Sequence, residues 1–261
     1  KPGDEVITQS FTFVATVEAI LMLGATPILT EVDATYNMDP EDLKQKITSK
    51  TKAIIPVHMA GVAANMSAIK DIANAHSIPV LEDTAQGIGA TYNGKMLGTL
   101  GDLGAYSLDF GKTITCGEGG VIVTDNEALY QNCLAFHDHG HEYNPSVGRA
   151  EDTRSSWGLN FRMNEMSAAV ASVQLNKLDM MLDKACVVKD TIKTALKKYC
   201  DEIQFRTIPD HSTENFDSII FSFDRVEKAQ AVLAALKKQG VGTKNIPDAL
   251  KWHFAGDWEH M

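Results

Sequence analysis

The sequence lacks the features that mark several large classes of protein. Its four cysteines, Cys116, Cys133, Cys186 and Cys200, include no Cys-x-x-Cys pair, which excludes a zinc ribbon or small disulfide framework and fits thiols kept reduced in a cytoplasm. No apolar run approaches the roughly 20 residues of a membrane span. Basic residues are sparse, 24 against 34 acidic ones for a formal charge of −10, and Lys or Arg never run beyond two in a row. That argues against nucleic acid or an anionic membrane as partner and leaves the acidity as a solvated surface. The opening Lys-Pro-Gly-Asp-Glu has no initiator Met and neither the basic nor the apolar region of a signal peptide. Val6-Ile7 already reads as a core strand, so the chain is expected to begin inside a domain.

What is present is ample for a packed core: 261 residues, 44% of them hydrophobic, enough for one large or two modest domains. Short β-branched runs at Glu5 to Thr8, Pro27 to Val32, Ala53 to His58, Pro79 to Asp83, Gly104 to Ser107 and Gly120 to Thr124 read as strands. Helical patterns run between them, through Val14, Val17 and Leu21, from Pro40 to Thr48, and from Met66 to His76. The alternation predicts an open, mostly parallel α/β sheet flanked by helices. His137 to Ser156, rich in His, Gly, Asn and charge, reads as a long loop. One long helix with the stripe Leu175, Leu178, Leu182, Ala185, Ile192 and Leu196 should follow and link two domains. The remainder, with strands near Ile203 to Thr207 and Ser218 to Asp224 and a helix from Lys228 to Gln239, predicts part of a smaller α/β domain.

Ligands of such sheets collect at the carboxyl ends of the strands. Two stretches there carry usable chemistry. Ser107 to Gly120 places a single lysine, Lys112, between a buried strand and a glycine turn; partial desolvation makes such an amine a usable nucleophile. Pro79 to Gln86 ends a strand on Asp83, whose carboxylate could hold a cationic ring nitrogen, and follows it with Gln86, whose amide could donate to a phenolate oxygen. Taken alone, Lys112 is better explained as a solvated loop residue and Asp83 as the cap of the next turn. His58 stands between a packed role and a site role.

The ordered set Gly3-Asp4-Glu5-Val6-Ile7-Thr8, Phe11-Thr12-Phe13, Glu82 to Gln86, Ser107 to Lys112, Gly117-Glu118-Gly119-Gly120 and Gly158 to Met163 resembles the DegT/StrS group of sugar aminotransferases, within the fold-type I pyridoxal-phosphate (PLP) enzymes. The resemblance implies a large PLP-binding domain over 1–163, a linking helix over 164–199 and a partial small domain over 200–261. It implies that Lys112 carries PLP covalently and, once freed by the amino donor, moves the proton. Asp83 would pair with the pyridine nitrogen, Gln86 with the phenolic oxygen and Phe13 with the ring face. Ser107 would bind the phosphate, as would Asn160 from the second subunit of a homodimer.

The implied reaction moves an amino group from an amino acid, L-glutamate, to a keto or aldehyde sugar for lipopolysaccharide or another surface glycan. The loop His137-Asp138-His139-Gly140-His141 and the tail Lys244-Asn245 with Trp252-His253-Phe254 resemble the 8-amino-3,8-dideoxy-manno-octulosonate transaminases, whereas most of the group act on nucleotide-linked sugars. A regulatory or non-catalytic relative and a PLP-dependent sugar dehydratase are the competing readings; the dehydratases have His in place of Lys112. A metal site on His137, His139 and His141 is disfavoured, because no carboxylate-bearing helix accompanies them. The family's phosphate-binding Gly-Ser/Thr-x-Ala turn would precede Gly3, and the small domain is read as stopping early at Glu259-His260-Met261. The chain is therefore expected to be truncated.

Overall fold

A computed structural model describes residues 1–244 and 251–259; Asn245, His260 and Met261 lie outside the described residues. The predicted runs form β1 (Glu5–Gln9), β2 (Thr26–Thr30), β3 (Thr51–Ile55) and β4 (Leu81–Asp83). Two short strands follow, β5 (Thr91–Tyr92) and β6 (Lys95–Met96), then β7 (Leu103–Ser107) and β8 (Gly120–Val123). β1 pairs in parallel with β2 on one side and β3 on the other, and β4 pairs in parallel with β7, against which β8 runs antiparallel. Parallel bridges Ile54 to Val80 and Val57 to Asp83 connect the two halves, so the order is β2-β1-β3-β4-β7-β8. This is the expected α/β architecture, parallel in all but its last strand.

Local sequence explains the early helices. In α1 (Val14–Met22) the side chains of Thr16, Val17 and Ile20 are buried. Asp39 caps α2 (Pro40–Lys46) by accepting from Glu41 N–H, with Pro40 at the first position, Glu41 and Asp42 in the first turn and Lys44 and Lys46 in the last. α3 (Met66–Ala75) is capped by Asn65 and buries Met66, Ile69, Ile72 and Ala73. These residues join Ile7, Met38, Leu43, Ile54 and Leu97 in the main core.

The later helices depart from expectation. α4 (Glu127–His137), capped by Asn126, was not anticipated, because only Ala135 of its face is buried and no apolar stripe announces it. The single long helix is instead two, α5 (Glu165–Leu175) and α6 (Leu178–Tyr199). Between them Lys177 N–H turns back three residues to the Gln174 carbonyl. A three-residue step of apolar residues cannot distinguish that tight turn from a continuous helix.

The strands near the end are shorter than their apolar runs. β9 (Gln204–Phe205) pairs with β11 (Phe221–Ser222), while β10 (Ser212–Thr213) adds to β5, and α7 (Val226–Lys238) follows. Residues 253–255 return to the start of the chain, where Thr12 N–H donates to the His253 carbonyl at 2.6 Å and Ala255 N–H to the Ser10 carbonyl at 2.8 Å. Among the described residues no helix is long and apolar enough to cross a membrane.

Candidate active site

Adjacent parallel strands deliver the predicted residues to one edge. Asp83 ends β4 opposite Ala105 of β7, and Ser107 ends β7. One oxygen of the Asp83 carboxylate accepts from Ala85 N–H at 3.0 Å and the other from the Thr16 hydroxyl at 2.6 Å. Thr16 is in turn 3.0 Å from the buried hydroxyl of Thr12. Helix α1 thus reaches across to orient a carboxylate at the end of β4.

Gln86 is held at two points. Its side-chain oxygen accepts from Ala60 N–H at 2.7 Å, and its backbone carbonyl from the buried Asn215 amide, also at 2.7 Å. With the oxygen so engaged, the side-chain NH2 is the group left to donate to a ligand; among the described residues no acceptor meets it. Ala60 adopts a left-handed conformation, φ 49°, in the tight turn Met59–Gly61 that presents its N–H. The Ser107 hydroxyl accepts from Asp109 N–H at 3.3 Å, and Lys112 N–H bonds the Asp109 carbonyl at 3.1 Å, folding the loop back under the lysine. The Lys112 side chain is half-buried, and among the described residues its amine has no hydrogen-bond or ion-pair partner.

Phe13 precedes α1; the residue is 40% exposed and its ring lies 6.2 Å, centre to centre, from His253. His253 Nδ1 bonds the Thr12 carbonyl at 3.1 Å, and Lys244 Nζ lies 3.3 Å from Nε2. Burial pushes the His253 imidazole below its ordinary value, and the charges of Lys244 and Lys112 reinforce the shift against the Thr12 hydrogen bond. Thr16, Ala60, Asn215 and the imidazole of His253 were not identified as site residues from sequence. Each acts through a contact between segments far apart in the chain, which no local pattern encodes.

His58 is structural. Its Nδ1 accepts from Ala64 N–H at 3.1 Å, so its proton sits on Nε2, which is 2.8 Å from the Glu82 carboxylate. Glu82, fully buried, also accepts from the N–H groups of Gly98, Leu100 and Gly101. Burial alone would raise this carboxyl; the His58 hydrogen bond and the backbone donors outweigh it and hold it below its ordinary value. Burial, and then the Glu82 charge, push the neighbouring Tyr106 phenol up to about 12.

A sequence model of the DegT/DnrJ/EryC1/StrS aminotransferase family matches residues 1–251. The chain belongs to this family. It is 36% identical over 245 residues to a pleiotropic regulatory protein of Geobacillus stearothermophilus, covering 93% of this chain and 63% of that protein. It is 39% identical over 196 residues to GDP-perosamine synthase of Escherichia coli O157:H7, covering 73% of this chain and 51% of the synthase. The chain therefore spans about half to two thirds of the curated relatives it matches. The solved structure of NtdA from Bacillus subtilis, with bound cofactor PMP, superimposes with a TM-score of 0.79 at 30% identity, covering 92% of this chain and 53% of that one. The architecture is that of the fold-type I aminotransferases.

In this family member Asn160 lies in the segment between α4 and α5 and not at the ends of β4 and β7. It is exposed, bridges Asp138 through its backbone, and its side-chain oxygen accepts from Arg162 N–H at 3.3 Å. The loop after α4 is organised by two carboxylates. Asp138, fully buried, takes a bidentate pair from Arg149 at 2.6 and 2.7 Å and further bonds from Tyr143 and Arg162. Arg149, and then Tyr143 and Arg162, hold its carboxyl well below the usual range despite burial. Asp152 receives His141 and the N–H groups of Tyr143 and Asn144. Among the described residues no group of three His, Cys, Asp or Glu is placed to hold a metal ion; His137 bonds the Leu134 carbonyl of its own helix and His141 bonds Asp152 within the loop.

Proposed function

We propose that this protein is a PLP-dependent sugar aminotransferase that takes an amino group from L-glutamate and gives it to a keto or aldehyde sugar. The observation that carries the reading is the convergence of Asp83, Gln86, Ser107 and Lys112 on the ends of the neighbouring strands β4 and β7. The donor set fits the cofactor. An oriented carboxylate matches a protonated ring nitrogen, a free amide NH2 matches a phenolate oxygen, a hydroxyl matches a phosphate, and a primary amine with no other partner matches an aldehyde.

When bound, PLP supplies an electron sink for the charge left on the donor's α-carbon. Lys112 would hold the cofactor covalently and, when displaced, move the proton from that carbon. Asp83 would keep the ring nitrogen protonated, Gln86 would donate through its amide nitrogen, and Phe13 would cover one ring face, worth about 1 kcal/mol beyond its buried area. Ser107 would hold the phosphate together with Asn160 of a second copy.

Association of two copies is supported by α5, which buries no side chain and exposes Met166, Val170 and Val173, and by the neighbouring exposed Trp157 and Phe161. We assign 1–163 to the cofactor domain, 164–199 to the link and 200–261 to part of the small domain, in a cytoplasmic enzyme of surface-glycan synthesis. For the acceptor, the loop at His137–His141 and the tail with Trp252-His253-Phe254 favour the octulosonate of lipopolysaccharide over a nucleotide-linked sugar.

A regulatory role is the second reading, favoured by the curated name of the Geobacillus relative. One experiment separates the two. The protein is exposed to PLP, reduced with borohydride, and the modified peptide is located by mass. A label on Lys112 that disappears in Lys112→Ala, with glutamate converting the bound cofactor to its amine form, is the expected result. An unlabelled protein would overturn the enzymatic reading.

A further inference from the structure

The hydroxyls of Thr12 and Thr16 form a directed chain that ends on Asp83. An ionised carboxylate only accepts, so Thr16 must spend its single proton on Asp83, at 2.6 Å. Thr16 can then only accept from Thr12, at 3.0 Å. The side chains of both threonines are buried, so water does not compete for either bond. A threonine inside a helix can turn its hydroxyl back to the carbonyl four residues earlier. Thr16 stands in the first turn, where the corresponding carbonyl, of Thr12, precedes the helix and is engaged by His253 Nδ1 at 3.1 Å, and its hydroxyl points across to β4.

The consequence falls on the carboxylate plane. Asp83 receives one donor on each oxygen, Ala85 N–H from its own turn and Thr16 from a helix 67 residues away. Ala85 alone would leave the carboxylate free to rotate about its bond to Ala85; the second donor removes that rotation while leaving a lone pair on each oxygen for a ligand. We infer that Thr16, backed by Thr12, is a positioning residue that holds the Asp83 carboxylate in the orientation from which it engages its ligand. The inference rests on the role of Asp83 proposed above.

The alternative is a plain tertiary tie between α1 and β4. The two differ in what they move. Thr16→Val keeps the side-chain shape and removes the hydroxyl, Thr16→Ser keeps the hydroxyl, and the double variant Thr12→Val with Thr16→Val also removes the buried hydroxyl that the single change would orphan. For each, a crystal structure without cofactor reports the Asp83 rotamer. The visible spectrum of the PLP-loaded protein and its pH midpoint, and the single-turnover rate with glutamate, report the consequence.

Both Val variants are expected to retain the label at Lys112 and to show Asp83 rotated away from its position in the parent. They should shift the cofactor band or its midpoint and slow the glutamate step about tenfold, with KM changed less than about threefold, as losses of outer-shell orienting partners do. Thr16→Ser should restore all three. An unchanged rotamer, spectrum and rate in the Val variants, with the parent labelled at Lys112, would overturn the positioning role alone. An unlabelled parent would overturn the functional reading, and this role with it.

Discussion

His58 Nε2 lies 2.8 Å from a Glu82 carboxylate oxygen, with both side chains fully withdrawn from solvent. The pair ties the segment after β3 to β4 one residue before Asp83, and three backbone N–H groups of the Gly98 to Gly101 turn complete the carboxylate's shell. Four donors converging on one carboxylate make Glu82 an anchor for the turn beside the site.

Replacing Glu82 by Gln puts an NH2 donor where N–H donors point, and replacing His58 by Ala leaves the carboxylate one donor short. Each change should cost roughly 2–4 kcal/mol of stability, read from urea midpoints. Because the folded carboxyl is held below its ordinary 4.5, its contribution is present above that pH and fades as pH falls through the folded value. The parent should therefore lose stability below about pH 4.5, and Glu82→Gln should show a shallower acid limb. Parallel acid limbs would contradict the assignment.

Gly61 has φ +71°, and a Cβ there would overlap the Asn215 amide. That amide holds the Gln86 carbonyl at 2.7 Å. Gly61→Ala is expected to lower stability by roughly 2–3 kcal/mol and also to weaken PLP binding, because displacement of Asn215 releases the backbone of Gln86. Spectroscopic titration with PLP checks the second effect. Unaltered affinity at reduced stability would mean that the Asn215 bond does not reach the ligand site.

Docking of the segment around His253 should depend on pH near neutrality. The folded imidazole is held below its ordinary 6.5, chiefly by burial, so the undocked form takes the proton more readily and opening is favoured as pH falls through that range. Exchange of the Thr12 and Ala255 amides, corrected for intrinsic rates, should accelerate between about pH 7.5 and 5.5. In His253→Phe, which keeps a ring against Phe11 and Phe13 but cannot protonate, this acceleration should vanish. An equal acceleration in the variant would assign it to other groups.

Much of the architecture was legible in the chain, because β-branched runs separated by capped amphipathic helices admit few arrangements other than an open parallel sheet. The placement of Asp83, Gln86, Ser107 and Lys112 after strands was legible for the same reason, since a residue at a strand's carboxyl end must lie at the sheet edge. Helix α4 was hidden because it buries almost nothing, and the break at Asn176 and Lys177 because apolar spacing is blind to one tight turn.

What the sequence by itself determined was therefore the strand order's raw material, the family motifs and the residue types at the edge. Tertiary structure alone decided how those residues are held. Thr16 reaches Asp83, Asn215 reaches Gln86, Ala60 fixes the Gln86 amide and His253 lies beside Phe13, in pairs separated by 67, 129, 26 and 240 residues. Orientation of a side chain depends on partners that the fold brings together, and hydrogen bonds between distant segments leave no periodic trace in the chain.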